Sequence, residues 1–157
     1  MLRAIDKKKS GATGGHYVIV ASTYNARYVD AMLRAAQSEI RRARGTVEVV
    51  RVPGAYEIPV VAATVAQRLG VSGIICLGVI LRGATTHAQH IGEAVSQALV
   101  LVQIQHGVPV IHEVLLLENE QQAKERCLDK KHNRGTEAAQ TALEMAKVMT
   151  SLQGKAF

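Results

Sequence analysis

The sequence predicts an α/β fold in which helices cover both faces of a parallel sheet. Short β-branched runs alternate with stretches of helical periodicity along the chain, and this alternation is typical of parallel sheets. The run GIICLGVI is apolar at almost every position, as a central strand covered on both faces requires. The chain has 157 residues, 48% of them hydrophobic, which is enough for one core.

The strands and helices are predicted to alternate from His16 onward. Residues 1–15 lack periodicity and are rich in Lys, Gly and Ser, so we predict a mobile arm there and one domain over residues 16–157. The predicted strands are YVIVAS, TVEVVRV, GIICLGVI and VPVIHEVLLL, and a short helix in NEQQAKER follows the last of them. Each longer helix is predicted to bury one apolar face: Val29, Met32, Leu33, Ala36 and Ile40; Val61, Ala62, Val65 and Leu69; Ile91, Val95, Ala98 and Val102; and Ala139, Leu143, Ala146 and Met149.

Composition argues against several classes of protein. The formal net charge is +6, but the chain has only four tyrosines and one phenylalanine to stack on nucleic-acid bases. No signal peptide or run of about eighteen apolar residues is present in the sequence, which predicts a cytoplasmic protein. Cys76 and Cys127 fit neither a disulfide framework nor the paired spacing of a zinc site, so we expect free thiols.

Unusual polar stretches follow the predicted strands. Open parallel sheets bind ligands in the crevice beyond the carboxyl ends of their strands. Tyr24 and Asn25 follow the first strand, PGAYEIP the second and LRGATTH the third, whereas His112 and Glu113 are predicted near the end of the fourth. The sequence therefore predicts a ligand site on one side of the sheet.

The stretch after the third strand has the residue types of an anion site. Gly83 permits a close backbone approach, and Thr85 and Thr86 supply hydroxyls and amides before the next helix. His87 falls in the first turn of that helix, where a neutral imidazole can transfer protons. The alternative is structural, because such a loop is on its own more often a turn in which a threonine caps the helix.

Two further residues have structural alternatives of the same kind. Glu57 suits the first turn of a helix, where the dipole favours a carboxylate. Arg126 suits the end of a short helix that begins at Asn119 as its cap. The joint position of these residues at strand ends favours the functional interpretation.

Four segments together resemble one family. VPGAYEIP, LGVILRGATTH, ENEQQAKER and NRGTEAAQTALEM, in this order and at these intervals, resemble the lumazine synthase family over roughly Tyr17 to Met149. The resemblance implies a flavodoxin-like three-layer sandwich with a four-stranded parallel sheet flanked by helices. It also implies a transferase of riboflavin biosynthesis, which condenses 5-amino-6-(D-ribitylamino)uracil with 3,4-dihydroxy-2-butanone 4-phosphate. The products are 6,7-dimethyl-8-ribityllumazine, phosphate and water, and this is the penultimate step of the pathway.

The resemblance implies partners as well. It implies a homo-oligomer, either a pentamer or a sixty-subunit shell of pentamers, with active sites shared between neighbouring subunits. The segment 127–132 lacks the glycines common in shell-forming members but has no clear insertion, so pentamer and shell both stay open. Association with riboflavin synthase is a further partnership that the resemblance raises. We expect no metal and no flavin or nucleotide cofactor, because the reaction needs only proton transfers between two well-held substrates.

The resemblance also assigns roles to individual residues. His87 matches the proton-transfer residue, and Arg134 occupies a position that is often lysine and serves as an auxiliary cation. The residues matched to butanone phosphate binding are Ala84, Thr85 and Arg126. Those matched to pyrimidine and ribityl binding are Tyr24, Asn25, Ala55, Tyr56, Glu57, Val79, Ile80, Leu81 and His112.

Some positions depart from the family pattern. Gln89 and His90 lie in a stretch where the family commonly has His-Phe-Asp-Tyr, and His112 with Glu113 replaces a usual Phe-Gly. These departures leave a non-catalytic flavin- or lumazine-binding or shell-forming relative as an alternative, against which the retention of His87 and Arg126 argues. A basic nucleic-acid binder is a third hypothesis, motivated by net charge alone, and the absence of aromatic-basic interleaving argues against it.

Overall fold

Four parallel strands form one sheet in the computed structural model, which describes residues 14–154. Their order across the sheet is β2-β1-β3-β4. The strands are β1 (His16–Ser22), β2 (Thr46–Val52), β3 (Gly73–Leu81) and β4 (Val110–Leu117). The helices are α1 (Ala26–Arg42), α2 (Ile58–Ala66), α3 (His87–His106), α4 (Glu120–Ala123) and α5 (Arg134–Gln153), with a 3-10 turn at Ala55–Glu57 and a π-helical turn at Lys124–Leu128. The predicted α/β fold with a four-stranded parallel sheet is confirmed.

The sheet separates two apolar cores. Tyr17, Ile19 and Ala21 of β1 point into the core that α1 and α5 cover, whereas Val18 and Val20 point into the core that α2 and α3 cover. This alternation follows from the period of two along a strand. The central strand β3 is buried from Gly73 to Val79, which explains why its sequence is apolar on both faces.

The predicted buried faces agree with the structure in α1, α3 and α5, whereas the prediction for α2 is wrong at its C-terminal end. All the residues predicted inward in α1 are buried, and so are Val95 and Val102 in α3 and Ala139 and Leu143 in α5. In α2, Ala62 and Val65 are buried, but Leu69 is fully exposed, so its assignment to the core was wrong. The helix ends at Ala66, three residues before the position at which helical periodicity would turn Leu69 inward.

The structure describes only the last two residues of the predicted N-terminal arm. Residues 1–13 of the predicted arm lie outside the described residues. Gly14 N–H donates to Ala43 O at 3.0 Å, and Gly15 O accepts from Thr46 N–H at 2.9 Å, so these two glycines lie against the start of β2. Cys76 and Cys127 are both buried free thiols, as predicted.

The segment after β4 combines two kinds of helix. Asn119 caps α4, because its Oδ1 accepts a hydrogen bond from Gln122 N–H at 3.0 Å. The chain then widens into the π-helical turn, which holds Arg126. Asn133 ties this turn to α5, because its Nδ2 donates to Cys127 O at 2.7 Å and its Oδ1 accepts from Gly135 N–H at 2.8 Å. The predicted short helix is therefore correct in position, but its second half is π-helical.

Candidate active site

A crevice of about 1000 Å³ opens beyond the carboxyl ends of β1 and β3. It lies where an open parallel sheet binds ligands. Most of the residues matched to substrate binding line it, together with the proton-transfer match His87: Tyr24, Asn25, Ala55, Tyr56, Glu57, Val79, Ile80, Leu81 and Thr85. The other lining residues are Gly54, Gly83, Ala88, His90, Ile91 and Ala94. The structure thus brings together the stretches that follow the first three strands.

Asn25 links the first and third strands at the floor of the crevice. Its backbone is left-handed, with φ 56°, a conformation that asparagine tolerates better than most residues. From this position Asn25 Nδ2 donates to Val79 O at 2.7 Å. The neighbouring Tyr24 ring is 73% exposed, and its backbone N–H donates to Pro53 O at 3.1 Å. The Tyr24 ring therefore stands at the crevice wall with a face free to stack on a flat ligand.

The PGAYEIP stretch forms one wall of the crevice as a 3-10 turn that leads into α2. Glu57 Oε2 accepts a hydrogen bond from Gly54 N–H at 3.0 Å, so the carboxylate stabilises its own turn. The structural interpretation of Glu57 is therefore confirmed; the side chain also lines the crevice, where its functional role stays a prediction. Tyr56 beside it is 65% exposed.

The stretch after β3 forms the opposite wall. His87 is the first residue of α3, and its N–H donates to Thr85 Oγ1 at 3.4 Å. Thr86 is the residue before the helix, but its side chain makes no capping hydrogen bond. Ala84 is exposed and lies outside the crevice lining. The N-terminal turn of α3 therefore lies at this wall, and the anion site expected there stays a prediction.

Sequence reasoning did not assign a role to His90, although the structure places it in the crevice. His90 follows His87 by three residues, so both side chains lie on the same face of α3. His90 Nε2 lies 3.3 Å from Thr86 Oγ1. The helical spacing of the two histidines was the signal that could have found this residue.

Arg126, which the family resemblance matches to phosphate binding, lies outside the crevice. Arg126 is half-buried in the π-helical turn and does not line the crevice. Among the described residues that line the crevice there is no arginine or lysine. One chain therefore joins His87 to the wall formed by PGAYEIP but does not bring Arg126 to the same crevice.

Arg134 and Glu113 lie together in the interior between β4 and α5. Arg134 Nη1 pairs with Glu137 Oε2 at 2.6 Å, and Arg134 Nε lies 4.0 Å from Glu113 Oε1. Burial raises the pKa of Glu113 to about 7, and the nearby Arg134 opposes that rise. The Arg134 side chain is only 13% exposed, so its guanidinium points into this cluster rather than into solvent.

His112 lies in the middle of β4, not near its end as predicted, because the strand continues to Leu117. Its Nδ1 accepts from Val114 N–H at 3.1 Å, so the ring proton is on Nε2, which donates to Ser96 Oγ at 2.7 Å. The Ser96 hydroxyl in turn donates to Gly92 O at 2.8 Å. Within one chain His112 therefore packs against α3 and does not line the crevice.

These contacts predict a pH dependence of stability. Burial lowers the pKa of His112 below its usual 6.5, and the bond from Val114 N–H requires an unprotonated Nδ1. The stability that the neutral ring contributes is thus fully present above pH 6.5 and is lost as the pH falls through the lowered pKa. We expect the free energy of unfolding in urea to fall more steeply below that pH in the wild type than in His112→Phe.

A comparison variant tests the cause of this dependence. Ser96→Ala keeps the ring and the Val114 bond, so it should retain the acid-side fall in stability. If wild type and His112→Phe lose stability in parallel as the pH falls, His112 is not the titrating group.

The described part of the chain offers little for other classes of site. No group of three or more His, Cys, Asp or Glu side chains in residues 14–154 is arranged to hold a metal ion. Among the same residues, no helix combines the length and apolar character that crossing a membrane requires.

The chain is similar to known proteins over most of its length. A family model described as 6,7-dimethyl-8-ribityllumazine synthase matches residues 14–150. The 6,7-dimethyl-8-ribityllumazine synthase of Xanthomonas campestris pv. campestris (strain B100) is 39% identical over 143 residues, which cover 89% of this chain and 93% of that protein. The protein of the same name from Desulfotalea psychrophila is 39% identical over 145 residues, which cover 90% of this chain and 94% of that protein.

Proposed function

The chain belongs to the 6,7-dimethyl-8-ribityllumazine synthase family, and from this membership we propose that its crevice is one half of the active site. The protein is a transferase that catalyses the lumazine-forming step of riboflavin biosynthesis. Its substrates are 5-amino-6-(D-ribitylamino)uracil and 3,4-dihydroxy-2-butanone 4-phosphate, and its products are 6,7-dimethyl-8-ribityllumazine, phosphate and water. The observation that carries the site assignment is that the crevice unites a stacking tyrosine, a carboxylate and His87.

The pyrimidine substrate has complementary partners on the β1 and β2 side of the crevice. The exposed Tyr24 ring offers a face for the pyrimidine, and the Val79–Leu81 strand end offers backbone groups to its polar edge. Glu57 accepts hydrogen bonds from ribityl hydroxyls through lone pairs that its bond to Gly54 leaves available. Apolar Ile91 and Ala94 exclude water from the ring on the α3 side.

The chemistry requires proton transfers around two held substrates. The pyrimidine amine attacks the ketone carbon, and a first water leaves as the imine forms. Elimination of phosphate from the adjacent carbons gives an enol, which tautomerises to a new ketone. The ribitylamino nitrogen attacks this ketone, and a second water leaves as the ring closes. His87 accepts and returns protons in these steps, since it is exposed to the crevice at the start of α3. The α3 amides and Thr85 bind the phosphate from one side, which leaves its remaining charge to be met by a cation.

We infer that a neighbouring subunit supplies this cation. The described crevice lining has no arginine or lysine, whereas Arg126 stands outside it on the π-helical turn. The apolar side chains of Val100, Leu101 and Ile104 are exposed on α3, as expected of a helix that packs against another subunit. A ring of such heterologous contacts gives each crevice one partner, an arrangement compatible with the pentamer or shell of pentamers that the family resemblance implies. Association with riboflavin synthase and a cytoplasmic location stay predictions.

One assay tests the proposed function directly. Purified protein is mixed with the two substrates, and lumazine formation is followed by its absorbance, with His87→Ala as the control. Product formation that depends on both substrates supports the proposal. Binding of the product without turnover would instead identify a non-catalytic relative.

Arg126→Ala is expected to weaken binding of the butanone phosphate far more than binding of the pyrimidine. Loss of a charge-assisted contact to phosphate costs about 2 kcal/mol, or roughly thirtyfold in KM for that substrate. The KM for the pyrimidine should change less than about threefold. Lys124→Ala, which removes a cation from the same turn, is the matched control, and equal weakening of both substrates by Arg126→Ala contradicts the assignment.

A further inference from the structure

A buried group of charges connects β4 to the turn that carries Arg126. Glu113 is 4% exposed and faces the core beneath α5. Arg134 lies between two carboxylates, at 4.0 Å from Glu113 and 2.6 Å from Glu137. All three side chains are largely buried, so their charges act on one another with little screening by water.

Arg126 is electrostatically part of the same group. Burial raises the pKa of the Glu113 carboxyl and of the Cys127 thiol, and the nearby Arg126 charge opposes both rises. The Asn133 side chain holds the π-helical turn against the start of α5 through its bonds to Cys127 O and Gly135 N–H. Arg126 and Arg134 therefore belong to one connected unit that lies over Glu113, which we call the arginine unit.

We propose that Glu113 is a positioning residue for phosphate binding: its ionised carboxylate draws Arg134 inward and offsets the positive charge that the arginine unit presents to the butanone phosphate. With both carboxylates ionised, Glu113 and Glu137 balance the two guanidinium groups. With Glu113 neutral, the arginine unit keeps an uncompensated positive charge and attracts the phosphate more strongly. This inference rests on the proposed function, in which Arg126 binds the phosphate.

The surroundings of Glu113 allow its charge to change near neutral pH. Burial raises its pKa to about 7; Arg134 and Arg126 oppose the rise, and Glu137 adds to it. The other ionisable groups near this unit are Cys127, whose pKa burial raises to about 12, and Tyr28 of α1, whose pKa burial also raises. A pKa of about 7 means that Glu113 gains its negative charge gradually as the pH rises through neutrality.

The experiment compares the KM for the butanone phosphate in wild type and Glu113→Gln at about pH 6 and about pH 8.5, with the pyrimidine saturating. The ratio of the wild-type KM to the variant KM should be close to one at the lower pH and about five at the higher pH. About fivefold is the effect expected of one unit charge that acts over an intermediate distance through a medium of intermediate dielectric constant. Titration of the substrate phosphate cancels in this ratio because it affects both enzymes equally. The kcat values should agree within about twofold, since the charge acts on binding.

Three controls separate this role from a structural one. Glu144→Gln makes the same change on the exposed part of α5 and should give a ratio independent of pH. Glu113→Ala removes the same charge with a different shape and should reproduce the pH-dependent ratio. In the wild type, infrared difference spectra between the two pH values should contain the band of a protonated carboxyl group, which Glu113→Gln should lack.

The experiment distinguishes failure of this inference from failure of the proposed function. An inactive wild type contradicts the proposed function and this inference with it. An active wild type whose KM ratio to both Glu113 variants does not change with pH contradicts this inference alone. If neither variant assembles, the wild-type infrared titration decides, and the absence of a carboxyl band that disappears near neutral pH overturns the proposal.

Discussion

Gly135→Ala is expected to destabilise the protein by about 3 kcal/mol or more, because the new methyl group meets backbone rather than a side chain. A Cβ at position 135 would overlap Met32 O and lie 2.6 Å from Met32 C and Cα. Backbone atoms of α1 cannot rotate away as a flexible side chain can, so α1 and α5 must separate. The helical preference of alanine over glycine returns only about 1 kcal/mol. Urea denaturation should record the loss as a lower midpoint.

A matched substitution at the other end of α5 isolates the close approach of the helices. A Cβ at Gly154 would lie 3.4 Å from Thr150 O, an ordinary contact, so Gly154→Ala should change the free energy of unfolding by less than about 0.5 kcal/mol. If Gly135→Ala is as stable as Gly154→Ala, the contact between α1 and α5 is looser than described here.

The fold could be predicted because it depends on patterns that one chain carries by itself. The alternation of strand and helix periods determined the class, and the continuous apolar run of β3 determined its central place in the sheet. Leu69 shows where such reasoning fails. Periodicity identifies a face but not the residue at which a helix stops, and the chain leaves α2 before Leu69 could turn inward.

The site could be predicted in part for the same reason. Tyr24, Glu57 and His87 were found because strand ends converge in any open parallel sheet, whatever the details of packing. The direction of a side chain from the middle of β4 depends on register, which the sequence did not determine. His112 contacts Ser96 on one side of the sheet, whereas Glu113 faces the core on the other side.

Arg126 marks the limit of reasoning from a single chain. Its position after a capped short helix was predicted correctly, but in one chain that turn stands outside the crevice, and only the proposed contact between subunits would bring it to one. The family resemblance was needed to give Arg126 a role. A test of that role has to join two subunits, because the residues that line one crevice include His87 and no guanidinium among those described.

His87→Ala and Arg126→Ala are expected to restore each other's activity when the two proteins are mixed, unfolded and reassembled together. Alone, His87→Ala should lose about 10²-fold or more in kcat through the missing proton transfer. The assay uses butanone phosphate well below its KM, where Arg126→Ala alone should keep only about a thirtieth of wild-type activity. In random rings about one interface in four pairs an intact His87 with an intact Arg126, so up to about a quarter of wild-type activity should return. Each variant reassembled alone is the control, and size measurement confirms assembly. Correctly assembled mixed rings without recovered activity contradict the shared site, because both residues would then have to act within one chain.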